Sequence, residues 1–228
     1  MQYIAAENNL AETAFFVKEP AGYRIRWFTP LAEVDLCGHA TLATAHVMYE
    51  HLGYQGDRIE FQSRSGLLHV KREAGLLILD FPRDEFFPTE LPEILIMALG
   101  KRPVESFKGK TDYMLVYEDH GDIKRMNPDF SLLGKVAARG IIVTAPGKKV
   151  DFVSRFFAPQ VGVHEDPVTG SAHTTLTPYW CQRLKKTELT AIQISQRKGY
   201  LTCKLVGDRV EISGKAVTYL EGMIHIMR

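Results

Sequence analysis

Residues Val163 to Trp180 read VHEDPVTGSAHTTLTPYW. The segment opens on two adjacent carboxylates, Glu165 and Asp166, passes through Pro167 and a turn, and then carries no Asp, Glu, Lys or Arg from Gly170 until Arg183. That pattern predicts a loop feeding a buried helix. A helix without charge over about three turns has no wet face, so other elements must wrap it. Its first N–H groups lack intrahelical partners, and a Gly170-Ser171 start leaves them bare at the positive end of the helix dipole. A carboxylate or phosphate suits such a place; a core helix with an ordinary capped start is the plainer reading.

The element occurs twice. Arg26-Trp27-Phe28-Thr29-Pro30 leads through a loop to Gly38-His39-Ala40-Thr41, and Arg155-Phe156-Phe157-Ala158-Pro159 leads through a longer loop to Gly170-Ser171-Ala172-His173. After each helix, Ile59, Arg64, Gly66, Leu68 and Lys71 recur at one offset as Ile192, Arg197, Gly199, Leu201 and Lys204. Before each, Val17 and Pro20 recur as Val143 and Pro146. Collinear recurrence of this kind marks a duplicated unit, and it makes both helix starts candidates to face one cleft.

Composition sets the class. The 228 residues are 45% hydrophobic and 24% charged with a formal charge of +1, an ordinary globular balance that offers nucleic acid no basic surface. Glu7, Glu12, Lys18 and Glu19 break any secretory leader in the first twenty residues, and no uncharged run reaches the ~18 residues of a membrane span. The expectation is a cytoplasmic protein with no membrane association. Cys37, Cys181 and Cys203 are scattered and odd in number, which fits a reducing compartment.

The fold class expected is α+β, two similar domains, each a rolled, mostly antiparallel sheet around one central helix, related by a pseudo-twofold axis. The first domain covers residues 1–85: a short helix at 2–10, strands at Thr13–Val17 and Tyr23–Phe28, a buried helix at His39–Leu52, and strands at Ile59–Ser63, Leu67–Lys71 and Leu76–Phe81. Pro82–Pro92 is the linker. The second covers 93–214, with a helix to Leu99, strands at Asp112–Tyr117 and near Ile123, and a helix at Ser131–Ala137. Strands at Ile141–Thr144 and Asp151–Phe157 precede the organising loop; Ile192–Gln196, Leu201–Val206 and Val210–Ser213 follow its helix. Strands at Ala216–Leu220 and Met223–Ile226 are expected to cross back, so that 215–228 completes a first domain shortened at its N-terminus.

Three segments carry a family resemblance: Leu10-Ala11-Glu12-Thr13-Ala14-Phe15, Leu36-Cys37-Gly38-His39-Ala40-Thr41, and Glu165-Asp166-Pro167-Val168-Thr169-Gly170-Ser171-Ala172-His173. Together with Gly214-Lys215-Ala216-Val217 they resemble the PhzF-like phenazine-biosynthesis isomerases, which have the diaminopimelate epimerase-like fold. The resemblance implies two domains with the active site between them and a dimer. It also implies an additional N-terminal strand ahead of this chain's first residues.

The resemblance further implies a cofactor-independent isomerase that moves a proton within a small carboxylate-bearing substrate. Glu12 would move that proton, His39 and Asp166 would bind substrate and relay it, and the N–H groups at Gly38-His39 and Gly170-Ser171 would hold its carboxylate. Read without it, Glu12 is an exposed helix-end glutamate, Asp166 orders its own turn, and His39 is a satisfied core histidine. Cys37 stands where racemases of this fold carry one of two catalytic thiols, but Thr169 stands near the second position, so Cys37 is equally a packing residue. An amino-acid epimerase or racemase remains an alternative, as does a non-catalytic protein that acts through self-association. Gly109-Lys110-Thr111 lacks the first glycine of a phosphate loop, no G-x-G-x-x-G occurs, and His39 and His46 lack a zinc spacing, so neither cofactor nor metal is expected.

Overall fold

Alternating burial builds the first sheet; in β6, for example, Leu77, Leu79 and Phe81 are buried and the residues between them are partly exposed. In the computed structural model, which describes residues 1–225, helix α1 (Gln2–Asn8) leads into β1 (Thr13–Glu19) and β2 (Gly22–Phe28), and a short β3 (Glu33–Val34) lies against β2. Helix α2 (Gly38–Glu50) crosses to β4 (Arg58–Ser63), parallel to β2, and β5 (Gly66–Glu73) and β6 (Leu76–Pro82) follow as antiparallel neighbours. A parallel pair requires such a crossover.

The second half follows the same plan behind a longer preamble. That preamble is β7 (Phe87–Pro88), α3 (Glu93–Leu99), β8 (Glu105–Lys108), β9 (Asp112–Val116), α4 (His120–Arg125) and α5 (Phe130–Leu133). Then come the antiparallel pair β10 (Gly140–Pro146) and β11 (Phe152–Phe157), helix α6 (Gly170–Leu184), β12 (Glu188–Gln193) parallel to β11, and the hairpin β13 (Gly199–Val206) and β14 (Arg209–Gly214). Pairing in the order antiparallel, parallel across a helix, antiparallel, antiparallel thus occurs twice. β14 pairs with β6 and joins the halves, giving the strand order β1-β2-β4-β5-β6-β14-β13-β12-β11-β10-β9-β8-β7.

The repeat is real in pairing but not at a constant offset. Lys71 lies opposite Arg58 and its counterpart Lys204 lies opposite Glu188, so Leu189, not Ile192, occupies the place of Ile59. Likewise Phe15 faces Arg26 while Val143 faces Arg155, which makes Phe15, not Val17, the partner of Val143. Both slips arise in turns that are longer in the second half. Turn length is cheap to change, whereas strand register on a buried face is not.

Helix α6 is buried on nearly every side, from Gly170 to Thr177 and again from Tyr179 to Cys181. Helix α2 is not: Ala40, Thr41, Thr44, Ala45 and Met48 face the core, while Val47 is on the outside. Leu201, Cys203, Val210 and Ile212 of β13 and β14 pack into the core around α2. The opposite face of β9–β11 is covered by α3, α4 and α5 through Leu95, Leu99, Ile123 and Leu133. Among the described residues no helix is long and apolar enough to cross a membrane.

Two local expectations are corrected. Ile123 sits in a helix, because Asp119 caps the N–H of Gly121 and turns the chain inward with Ile123 buried. Residues 215–225 contain no strand. They do return to the first half, where the Thr218 hydroxyl lies 3.0 Å from His46 Nε2 and 2.6 Å from His51 Nε2 on α2. With no neighbouring strand to pair with, the segment stays irregular and leaves Val217, Tyr219, Leu220 and Met223 exposed; Ile226 lies outside the described residues.

Candidate active site

The site begins with two backbones in contact. Helices α2 and α6 start at Gly38 and Gly170, and a Cβ built on Gly38 would lie 2.6 Å from the Cα of Gly170. Neither Cys37 nor Thr169, the two N-cap residues, caps its helix through its side chain. Two sets of bare N–H groups and two positive dipole ends therefore converge on one spot.

Each helix start is delivered by the same device. Arg26 on β2 forks onto Glu33 with bonds of 2.7 and 2.8 Å, and Arg155 on β11 forks onto Glu165 with bonds of 2.7 and 2.9 Å. Arg155 also donates to the carbonyls of Ile123 and Met126, at 3.1 and 2.6 Å. Glu165 is thus a structural carboxylate, and it positions its neighbour. The Asp166 N–H is tied to the Phe156 carbonyl at 3.1 Å, and Asp166 Oδ2 accepts from the Thr169 hydroxyl at 2.6 Å.

Asp166 Oδ1 points into the cleft, where it lies 3.8 Å from His39 Nδ1. On the other side, Glu12, carried in between α1 and β1, brings Oε2 to 3.1 Å from His39 Nε2. The angle to Glu12 is poor and the distance to Asp166 too long, so neither Glu12 Oε2 nor Asp166 Oδ1 has a hydrogen-bond partner although both oxygens are buried. Cys37 Sγ lies 3.9 Å from both nitrogens of the same ring. The Val168 carbonyl, 3.0 Å from Nδ1, can only accept, which places a proton on that nitrogen.

Four titratable groups from three segments of chain therefore share one cleft. Burial raises the Asp166 pKa and nearby Glu12 adds to this, against the opposing pull of His39 and Thr169. Burial opposes a charge on His39, but the carboxylates Glu12 and Asp166 on either side of the ring favour it, with Cys37 adding to this only as a thiolate, and the His39 pKa is held well above 6.5. Burial raises the Cys37 pKa and keeps it a thiol. An imidazolium between two carboxylates with unsatisfied oxygens can pass a proton either way. Glu12, Cys37 and His39 also place one ligand-type atom each within 4.8 Å of one another.

The cleft is nearly closed. Its cavity of about 20 Å³ is lined by Glu12, Gly38, His39, Asp166, Gly170 and Ser171, with Val34, Leu36 and Phe156 among the apolar walls. That volume admits about one water.

Two features escaped the sequence. Gln193, fully buried at the end of β12, donates to the Asp166 carbonyl at 2.7 Å and the Thr169 hydroxyl at 3.1 Å, and accepts from the Thr169 N–H at 2.8 Å. An amide inside an otherwise alternating strand was its visible signal. Arg139 forks onto buried Asp112, lies over the Phe156 ring and lines the cleft; a charge abutting six consecutive buried residues could have marked it. His173 is outside the cleft, fully buried behind the first turn of α6 with Nδ1 on the Thr169 carbonyl at 2.8 Å.

Comparison with known proteins gives the family. The model of the family described as phenazine biosynthesis-like protein matches residues 1–222. The chain belongs to the phenazine biosynthesis-like, or PhzC–PhzF, family. A relative in Pseudomonas aeruginosa, named an uncharacterized isomerase, is 54% identical over 229 residues, which are 99% of this chain and 87% of the relative. The crystal structure of a PhzF-family protein from Enterococcus faecalis superposes with a TM-score of 0.91 at 44% identity, covering 99% of this chain and 86% of that one. A hydroxyproline epimerase from Agrobacterium vitis, with bound trans-4-hydroxy-L-proline, shares the fold at 10% identity with a TM-score of 0.59, over 91% of this chain and 72% of the other. The PhzF-like chain is thus an α+β protein whose named relatives include isomerases.

Proposed function

We propose that this PhzF-like protein is an isomerase that moves a proton within a small carboxylate-bearing substrate, using only groups of its own chain. The reading rests on one observation: Glu12 and Asp166 present unpartnered buried oxygens on either side of His39, where two uncapped helix starts meet. A buried carboxylate oxygen without a partner is costly, and such groups are retained where a ligand or a transferred proton completes them. Glu12 takes the proton from carbon, His39 and Asp166 return it, and the N–H groups of Gly38-His39 and Gly170-Ser171 hold the substrate carboxylate. The same donors stabilise the enolate-like charge that develops when the proton leaves. The scaffold we infer is a duplication, with halves at 1–85 and 93–214 related by a pseudo-twofold axis near the Gly38–Gly170 contact.

A racemase with two thiols is disfavoured. Thr169 commits its hydroxyl to Asp166, and burial holds Cys37 in the thiol form. The test is exchange. With a panel of cyclic and amino-acid-like carboxylates in D2O, followed by NMR, the wild type incorporates deuterium at carbon. Glu12→Gln lowers the rate by at least about 100-fold with substrate binding nearly intact. Exchange that survives Glu12→Gln overturns the assignment, and a wild type that exchanges no member of the panel favours the non-catalytic alternative.

A further inference from the structure

We propose that Gln193 is a positioning residue for the relay: it commits the Thr169 hydroxyl proton to Asp166 Oδ2 and so reserves Asp166 Oδ1 for the proton in transit. Gln193 is fully buried at the end of β12, and its amide bonds to both ends of the turn that carries Asp166 into the cleft. The orientation of that amide follows from its partners. The Thr169 N–H can only donate, so it faces Oε1 at 2.8 Å; the Asp166 carbonyl can only accept, so it faces Nε2 at 2.7 Å. The second N–H of Nε2 then points to the Thr169 hydroxyl oxygen at 3.1 Å.

A hydroxyl has one proton to give. With an N–H already directed at its oxygen, Thr169 Oγ1 donates that proton to Asp166 Oδ2, 2.6 Å away, and Oδ2 is held as an acceptor. The proton that Asp166 takes up therefore lands on Oδ1, the buried oxygen without a partner that lies 3.8 Å from His39 Nδ1. The Thr169 hydroxyl also favours the carboxylate form, against the burial that raises the Asp166 pKa. A relay group needs that balance, because it must give up its proton as readily as it takes one. The residues just beyond Gln193 brace the same turn without touching the hydroxyl: Ser195 Oγ donates to the Pro167 carbonyl at 2.7 Å, and a Cβ on Gly199 would lie 2.5 Å from Val168 Cγ2. Among the described residues, only Gln193 donates to the Thr169 hydroxyl.

The use of this arrangement rests on the isomerase reading, but its first test needs no substrate. Aspartate 13C-labelled at the side-chain carboxyl, with the Asp166 signal assigned by Asp166→Asn, is followed by NMR through a pH titration of the protein. Gln193→Met unpins both ends of the turn and should raise the Asp166 midpoint by about one pH unit or more, since a hydrogen bond to a charged group is worth about that much. Gln193→Glu offers the hydroxyl a competing acceptor and should raise it likewise; it carries the test if circular dichroism shows Gln193→Met unfolded. Ser195→Ala removes a bond from the same turn and should leave the midpoint in place. In solvent exchange, Gln193→Met should lower kcat by about 10- to 100-fold with KM nearly unchanged. The double variant Gln193→Met/Thr169→Val should be no slower than Gln193→Met, because both substitutions act through one hydroxyl. A midpoint unmoved by the Gln193 variants, a midpoint moved equally by Ser195→Ala, or losses that add in the double variant overturn the role. A wild type that exchanges nothing while the midpoint shifts as expected counts against the isomerase reading alone.

Discussion

Gly38 and Gly170 begin two helices from opposite halves of the molecule and touch through their Cα atoms: a Cβ on Gly170 would lie 2.7 Å from the Gly38 Cα. No backbone atom can yield there without moving a helix. Gly38→Ala and Gly170→Ala should each cost about 1–3 kcal/mol by overpacking, which lowers Tm by about 2–4 °C per kcal/mol in a protein of this size. Gly222→Ala, where nothing lies within 4 Å, is the control and should leave Tm unchanged. A Gly38→Ala protein as stable as the wild type would show that the two helix starts are not in contact in solution.

The Arg155–Glu165 fork should matter more than the Arg26–Glu33 fork. Arg155 and Glu165 are 12% and 20% exposed, while Arg26 is 38% exposed. Arg155→Met strands Glu165 and two carbonyls, an expected loss of about 3–5 kcal/mol, and it frees the loop that holds Asp166. Chemical denaturation of the single variants and of the double variant Arg155→Met/Glu165→Leu measures this. The double variant should recover part of the loss, and a double variant no better than Arg155→Met would mean that the fork is not the source of the stability.

His173 gives the protein an acid-sensitive element. Burial pushes its pKa down from 6.5 to about 4, against the hydrogen bond to Thr169. As pH falls through 6.5 the unfolded chain takes up the proton and the folded chain does not, so stability is complete above about 6.5 and declines by about 3 kcal/mol on reaching pH 4. Asp166 acts in the opposite sense, since its raised pKa lets the folded state take a proton first. Denaturation midpoints measured from pH 7.5 to 4 should fall steeply for the wild type and less steeply for His173→Gln. Equal slopes would remove His173 as the cause.

His39 acts on the alkaline side. With its folded pKa well above 6.5, the stability it contributes is complete below 6.5 and is lost as pH rises through the folded value. NMR titration of the His39 ring should show it charged at neutral pH in the wild type and less readily charged in Glu12→Gln. A ring that is neutral at pH 7 in the wild type would contradict the relay.

Self-association is expected as a homodimer. Among the described residues β1 pairs only with β2, so its outer edge carries free backbone groups, and Val17 on it is exposed. Edges of this kind are usually covered or paired. Light scattering should give twice the mass of one chain, and Val17→Lys should shift the balance toward monomer. A monodisperse monomer at micromolar concentration would refute the dimer.

Local chemistry was legible in the sequence where the rule is local. The uncharged run after Asp166 meant a wrapped helix, the apolar run in residues 76–81 read as a hairpin strand, and the two Gly-headed helix starts announced a repeat. Glu12, His39 and Asp166 were singled out from their motifs, although no spacing along the chain says that they meet. Their meeting depends on Gly38 lying against Gly170, on a fork from Arg155 to Glu165, and on Gln193 reaching across from β12, contacts made between residues 10 to 132 positions apart. The tail failed as a strand for the same reason: Ala216–Leu220 has β-forming residues, but a strand is a relation between two segments and no partner lies beside it. Sequence determined most of the helices and strands, because propensity and apolar patterning are properties of a short window. Only the tertiary structure decided which backbones touch, which carboxylate is structural and which is left unpaired, because packing and desolvation are set by neighbours distant in the chain.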